Sequence, residues 1–105
     1  MIVYHGGIDV IKEPDINHSY RPLDFGKGFY ITTVKEQAEK WAKRKADIFD
    51  KDVAVVNCYE MKEDIGTFKI KTFPDDLIEW IAFISQKAID GLLSYSSFMR
   101  YNNGR

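Results

Sequence analysis

The feature that most constrains the fold is a pair of glycines that leads directly into a short apolar strand. In the segment Asp24–Thr33 (DFGKGFYITT), Gly26 and Gly28 flank one lysine, and aromatic and β-branched residues follow at once. A dinucleotide-binding fingerprint needs a third glycine and a helix after the turn, and a phosphate-binding P-loop also opens a helix. Because a strand follows here, the segment predicts neither fold. It predicts a tight turn, a strand over residues 28–32 and then a helix.

Hydrophobic periodicity predicts two helices and four strands. Apolar residues recur at helical spacing over Thr33–Asp50, where Thr33 and Glu36 predict a capping box. A second helix is predicted over residues 75–94, and the tail from Ser96 is predicted to fray. Strands are predicted at residues 2–5, 28–32, 53–59 and 67–73, with an irregular segment over residues 6–25. The order β-β-α-β-β-α predicts an α+β fold.

Composition indicates one cytoplasmic domain. The 105 residues fit a single domain, and a net charge of −1 indicates neither a nucleic-acid nor a membrane partner. Cys58 cannot form an internal disulfide, so it is predicted to be a buried thiol in a reducing compartment. The segment Met1–His5 lacks the pattern of a signal peptide, and no apolar run is long enough to span a bilayer.

Three side chains could carry binding chemistry, and each has a plain structural alternative. His5 precedes Gly6 and Gly7, so its ring could hydrogen-bond a sugar hydroxyl while the glycines let a ligand approach the backbone. The alternative is a turn with a buried, satisfied histidine. Tyr30 and Trp41 could equally be core residues. No spacing of histidines and acids predicts a metal site.

Taken together, the motifs resemble a known family. They are Tyr4–Gly7 (YHGG), Pro14–Ile16 (PDI), Asp24–Thr33, Gln37–Ala42 (QAxxWA), Val56–Glu60 and Glu79–Ile84. Over roughly residues 2–86 the chain resembles an uncharacterised bacterial family, the domain of unknown function 3990. That family groups with the ADP-ribosyltransferase superfamily, which includes the poly(ADP-ribose) polymerases. The resemblance implies that residues 1–105 form one ADP-ribosyltransferase-like domain, with a mixed or antiparallel sheet and flanking helices.

The same resemblance implies NAD as the substrate, with no metal. His5 would hydrogen-bond the NAD ribose, and the backbone of Gly6 would hold the nicotinamide carboxamide. Tyr30 would pack against nicotinamide and its ribose, and Trp41 would supply a second aromatic wall. His5 and Tyr30 are therefore the expected catalytic residues, and Gly6 and Trp41 complete the expected NAD-binding set.

The third motif of the superfamily, an acid or glutamine on a late strand, has no clear match. The predicted elements leave no strand after the last helix, so Glu60, Glu79 and Gln86 remain as candidates. The chain could be truncated, frameshifted or naturally reduced. A sheet without its C-terminal strands would expose an edge, which predicts a homo-oligomer.

Three hypotheses follow for function. The first is an NAD-using ADP-ribosyltransferase or NAD glycohydrolase whose acceptor the sequence does not name. The second is a catalytically inactive relative or fragment that acts as a binding or oligomerisation module. The third is an unrelated α+β domain, in which the glycines form turns and the aromatic residues form the core.

Overall fold

Two three-stranded antiparallel sheets and two helices make up the described part of the chain. The computed structural model describes residues 1–15, 29–62, 69–72, 79–83 and 86–103. The elements are β1 (Ile2–Gly7), β2 (Phe29–Ile31), α1 (Lys35–Ile48), β3 (Val53–Met61), β4 (Lys69–Thr72), β5 (Glu79–Phe83), α2 (Gln86–Leu92) and β6 (Leu93–Asn102). Sheet A has the order β1-β3-β6 and sheet B the order β2-β5-β4. Every pairing is antiparallel, so the α+β prediction is confirmed.

Within the described residues, one backbone bridge joins the two sheets. The Tyr4 N–H donates to the Thr32 carbonyl oxygen at 2.8 Å, and the Thr32 N–H donates to the Tyr4 carbonyl oxygen at 2.9 Å. On either side of this bridge, β1 pairs with β3 in sheet A, whereas β2 pairs with β5 in sheet B. We call the region where β1 and β2 meet beside the Tyr4–Thr32 bridge the junction.

Helix α1 packs closely against one face of sheet A. Ala38, Ala42 and Ala46 are fully buried, and Tyr4 of β1 packs against the same cluster. A Cβ atom at Gly6 would lie 2.3 Å from the Ala38 carbonyl oxygen. Glycine in the strand and alanine in the helix therefore allow the two backbones to approach each other directly.

The N-terminus of α1 differs from the predicted capping box. The N-cap residue is Val34, which makes no side-chain cap hydrogen bond. The Thr32 hydroxyl oxygen instead accepts from the Val34 N–H at 3.1 Å. Because the helix begins later than predicted, Thr33 does not occupy the N-cap position.

The C-terminus of α1 closes through a left-handed residue. Asp50 has a φ of 57°, and the Lys51 N–H donates to the Ala46 carbonyl oxygen at 2.7 Å. This is the hydrogen bond of a Schellman motif, a helix ending in which glycine is the most frequent left-handed residue.

The C-terminal third departs most from the sequence prediction. Residues 79–83 form β5 between β2 and β4, α2 covers only Gln86–Leu92, and β6 extends over Leu93–Asn102. The predicted helix over residues 75–94 is therefore confirmed only over Gln86–Leu92 and is wrong over residues 79–83, and the predicted frayed tail is wrong over residues 96–102. Aromatic and β-branched residues at 79–83 suit a strand paired on both sides, and such pairing overrides helical spacing.

The other sequence predictions are met to different degrees. The strands predicted at residues 2–5 and 53–59 are confirmed and each extends two residues further. The strand predicted at residues 67–73 is observed as β4 over Lys69–Thr72. Cys58 is a buried free thiol, as predicted. None of the helices in the described ranges is long and apolar enough to cross a membrane.

Candidate functional site

His5 is held at the junction by its ring face and by one ring nitrogen. The ring stacks on Phe29 with 4.2 Å between centroids and 12° between planes, and the residue is only 3% exposed. Its Nδ1 lies 2.8 Å from the Tyr30 carbonyl oxygen. Because a carbonyl only accepts, we assign the proton to Nδ1, which makes Nε2 the acceptor of the neutral ring. The fold thus fixes both the orientation and the tautomer of His5.

Tyr30 lies on the opposite side of its strand from Phe29. Phe29 and Ile31 are buried in the core on the face of sheet A opposite α1. Tyr30, the residue between them in the chain, is half-buried. Strand alternation places Tyr30 on the side of Thr32, whose bridge partner Tyr4 packs against α1. Tyr30 therefore lies on the helix side of the junction. Burial raises the pKa of its phenol, which stays protonated at neutral pH.

The peptide groups of Gly6 point into the junction. The Met61 N–H donates to the Met1 carbonyl oxygen, which indicates that odd-numbered residues of β1 bond to β3. Tyr4 bonds instead to Thr32, on the other edge of β1. Gly6 follows Tyr4 by two residues, so its N–H and C=O point toward β2 as well.

Trp41 lies on the flank of α1 that is nearer to β2. Glu39 accepts a hydrogen bond from the Tyr101 hydroxyl of β6 at 2.7 Å, which fixes the β6 side of the helix. Trp41 is two residues from Glu39 and therefore about 160° away around the helix. Sheet A has β6 at one edge and β1 at the other, so Trp41 is on the side of the junction. Trp41 is half-buried, and the centre of its ring lies 5.6 Å from the Arg44 guanidinium carbon.

Two polar side chains of β3 fix the loop that follows β1. The Asn57 amide accepts from the Ile11 N–H and donates to the Asp9 carbonyl oxygen, both at 2.9 Å. The Tyr59 hydroxyl donates to the Ile11 carbonyl oxygen at 2.6 Å. Asn57 is opposite His5 in the β1–β3 register, so this loop is pinned beside the His5 ring.

Lys45 is a buried cation on the inner face of α1. Its side chain is only 4% exposed, and burial lowers its pKa to about 8. The carboxylate of Asp9 opposes that shift in part. The loop after β1 therefore places the Asp9 carboxylate near Lys45 of α1, and its backbone forms hydrogen bonds with Asn57 and Tyr59 on the face where His5 lies.

The three candidates for the third motif lie in different places. Glu60 is exposed at the end of β3 and binds the Met1 amino group at 2.7 Å. Gln86 begins α2 and donates to the Pro14 carbonyl oxygen at 3.0 Å, at the edge of an open cavity of about 400 Å³. Glu79 is the first residue of β5, the strand that pairs with β2, so the helix predicted for Glu79 is wrong. Within the described ranges, no three His, Cys, Asp or Glu side chains gather as a metal site.

Two residues that shape the site were missed by the sequence reasoning. Phe29 forms the surface on which His5 stacks, and Asn57 anchors the adjacent loop. The signal for Asn57 was available, because a lone amide inside the apolar strand of residues 53–59 predicts a buried, hydrogen-bonded polar group. The signal for Phe29 was weaker, since its contact with His5 depends on long-range strand pairing.

Comparison with family models identifies the family of the chain. The model described as "Protein of unknown function (DUF3990)" matches residues 1–97, and the chain therefore belongs to this family. No curated protein and no solved structure matches the chain. The family resemblance seen in the sequence motifs is confirmed, while the wider grouping with the ADP-ribosyltransferases stays a prediction.

Proposed function

We propose that this DUF3990 protein binds NAD at the junction and cleaves the bond between nicotinamide and ribose, as an ADP-ribosyltransferase or an NAD glycohydrolase. The observation that carries the proposal is that β1, which contains the YHGG motif, meets β2, which contains Tyr30 of the Asp24–Thr33 motif. His5 Nδ1 lies 2.8 Å from the Tyr30 carbonyl oxygen. Gly6, the residue between the histidine and the second glycine, directs its peptide groups toward the same strand.

Nicotinamide fits the groups at the helix side of the junction. Its carboxamide has one acceptor and two donor hydrogens, which match the N–H and C=O of Gly6 as a two-point contact. Tyr30 and Trp41 are on this side, and aromatic side chains pack well against a flat ring. In this proposal the two aromatic residues hold the ring and Gly6 sets its orientation.

The ribose is oriented by hydrogen bonds in the proposed complex. In this proposal His5, whose Nδ1 lies against the Tyr30 carbonyl, hydrogen-bonds a ribose hydroxyl, which is the role that the family resemblance implies. Gly7 adjoins His5 Nε2, because a Cβ at Gly7 would lie 3.5 Å from this nitrogen, which is van der Waals contact. The protonated Tyr30 phenol is a second donor. Fixed hydrogen bonds of this kind reduce the entropy cost of reaching the transition state.

The bond-breaking step needs a carboxylate near the sugar. Nicotinamide leaves as a neutral molecule with the electron pair of the broken C–N bond, and positive charge develops on the ribose. An acceptor nucleophile, water in the simplest case, then forms the new bond and loses its proton. We propose Glu79 for this role because it is the first residue of β5, the strand that pairs with β2.

The test separates binding from cleavage. NAD titration followed by NMR is expected to shift the signals of Gly6 and Tyr30, and nicotinamide release is measured by chromatography. Glu79→Gln should lower the release rate at least roughly a hundredfold while NAD still binds. The matched control is Glu60→Gln, which changes an exposed acid on β3 and should leave the release rate unchanged. The proposal fails if NAD shifts no signal near the junction.

One observation favours the second candidate, a relative that binds without catalysis. His5 is 3% exposed and stacks on Phe29, so its ring is also a core side chain. A ligand must reach Nε2 past that packing. If NAD binds with shifts at Gly6 and Tyr30 but the wild-type protein releases no nicotinamide, the binding module is the correct description.

A further inference from the structure

Strand β6 is a long edge with little protection against pairing. It forms one side of sheet A over Leu93–Asn102, and in the described part of the chain no strand pairs with its outer side. Its sequence, LSYSSFMRYN, contains one charged residue and no proline. The edge of sheet B is different, because β4 is short and carries Lys69 and Lys71. Short length, lysines and bulges are usual means of blocking edge pairing. β6 is long, has no lysine, and has its described bulge at Ser96, outside the Phe98–Arg100 segment.

The outward backbone groups of β6 can be assigned from the register. The Asn103 N–H donates to the Asp52 carbonyl oxygen, and Tyr101 pairs with Ala54 two residues further on. Odd-numbered residues in this part of β6 therefore bond to β3. It follows that the N–H and C=O groups of Phe98 and Arg100 point away from the sheet.

The side chains of the same two residues form a cation–aromatic pair. The Arg100 guanidinium carbon lies 5.0 Å from the centre of the Phe98 ring, on the face of sheet A opposite α1. Phe98 is half-buried and Arg100 is exposed. One edge thus offers backbone partners, a ring and a positive charge within three residues.

We propose that β6 pairs antiparallel with β6 of a second copy of this chain, in the register that sets Phe98 opposite Arg100 of the other copy. Two-fold symmetry repeats the contact, so each ring meets a guanidinium across the interface as well as within its own strand. The register centred on Arg100 would set two guanidinium groups opposite each other, which is unfavourable. The register centred on Phe98 would form no cross-strand pair between Phe98 and Arg100. The cation–aromatic pair therefore makes this edge complementary to a second copy of itself, and it favours the register that sets Phe98 opposite Arg100.

The first test measures mass and amide protection in wild-type protein. Sedimentation should show a monomer–dimer equilibrium, and the exchange of the Phe98 and Arg100 amides should slow as concentration rises. The Met99 and Tyr101 amides point to β3 and provide the internal control, since they stay protected at every concentration. A monomer at all concentrations overturns the proposal, and so does a dimer in which the Phe98 and Arg100 amides remain unprotected.

The second test exchanges the paired residues. Phe98→Arg sets two cations opposite each other at two symmetric positions and should weaken dimerisation roughly tenfold or more. The double variant Phe98→Arg/Arg100→Phe rebuilds both pairs and should restore wild-type association. Protection of the Met99 and Tyr101 amides reports whether each variant keeps β6 folded. Unchanged association in the single variant, or no recovery in the double variant, refutes the assigned register.

Discussion

Replacing Gly6 by alanine should loosen helix α1 from sheet A. The added Cβ would lie 2.3 Å from the Ala38 carbonyl oxygen and 3.0 Å from the Ala42 nitrogen. Both are backbone atoms of the helix, so no side-chain rotation can relieve the contact. The helix must withdraw by about 1 Å to reach an ordinary contact distance. Ala38 and Ala42 are fully buried, and their packing would be lost over the same distance.

The expected cost follows from overpacking. Forcing an extra carbon into a close-packed contact destabilises a protein by typically about 1–3 kcal/mol, and a backbone clash belongs at the upper end. Gly7→Ala is the matched control, because its Cβ would lie 3.5 Å from His5 Nε2, an ordinary contact. Neither glycine has a left-handed φ, so alanine is not strained at either position. Gly7→Ala should therefore stay within about 1 kcal/mol of wild type.

Urea unfolding followed by far-ultraviolet circular dichroism measures both variants. Gly6→Ala should lower the free energy of unfolding by about 2–3 kcal/mol, which corresponds to a fall of about 10 °C or more in Tm for a domain of this size. Equal stability of Gly6→Ala and Gly7→Ala would show that the helix does not rest on the strand backbone, and would refute the reasoning.

Three further predictions concern stability. Tyr59→Phe should lower the free energy of unfolding by about 1–2 kcal/mol in urea, because the buried Ile11 carbonyl loses its donor; no change would contradict the observed bond. Asp50→Gly should raise the unfolding free energy by about 0.5–1 kcal/mol, since φ is 57°, whereas Asp50→Ala should not. Burial lowers the pKa of Lys45 to about 8, against about 10.4 unfolded, so the unfolded state binds more protons from pH 8 to 10 and Tm should rise with pH. Lys45→Met should flatten that rise, and an unchanged profile would exclude Lys45 as its cause.

Local sequence patterns predict correctly those elements whose residues fit only one type of secondary structure. The buried alanines of α1 recur at helical spacing, and β3 is an almost unbroken β-branched run, so both were predicted close to their observed positions. The segment of β5 is different. Trp80 and Ile81 fit a helical stripe as well as a strand, and the pairing with β2 and β4 decides between them. Glu79 moves with that decision from a helix to the first residue of the strand that pairs with β2, three residues before Ala82, the partner of Tyr30.

The candidate site was predictable in its residues and not in its geometry. The glycines after His5 predict that a ligand approaches the backbone closely, whereas the structure shows helix α1 in close contact with Gly6. The tautomer of His5 depends on the Tyr30 carbonyl, which lies 25 positions away in sequence. No local pattern encodes such a contact, because it exists only once β1 and β2 meet.

The central position of β3 has a consequence for how fast the protein folds. Ile2 pairs with Glu60 and Val53 pairs with Asn102, so both neighbours of β3 reach it from distant parts of the chain. The entropy cost of closing such loops must be met before the strand contacts repay it, and sheets of this kind fold in milliseconds to seconds. Helix α1 lies between β1 and β3 in sequence and brings the two together as it forms. We expect the β1–α1–β3 unit to form first and β6 to add last, which leaves the outer side of β3 open during folding.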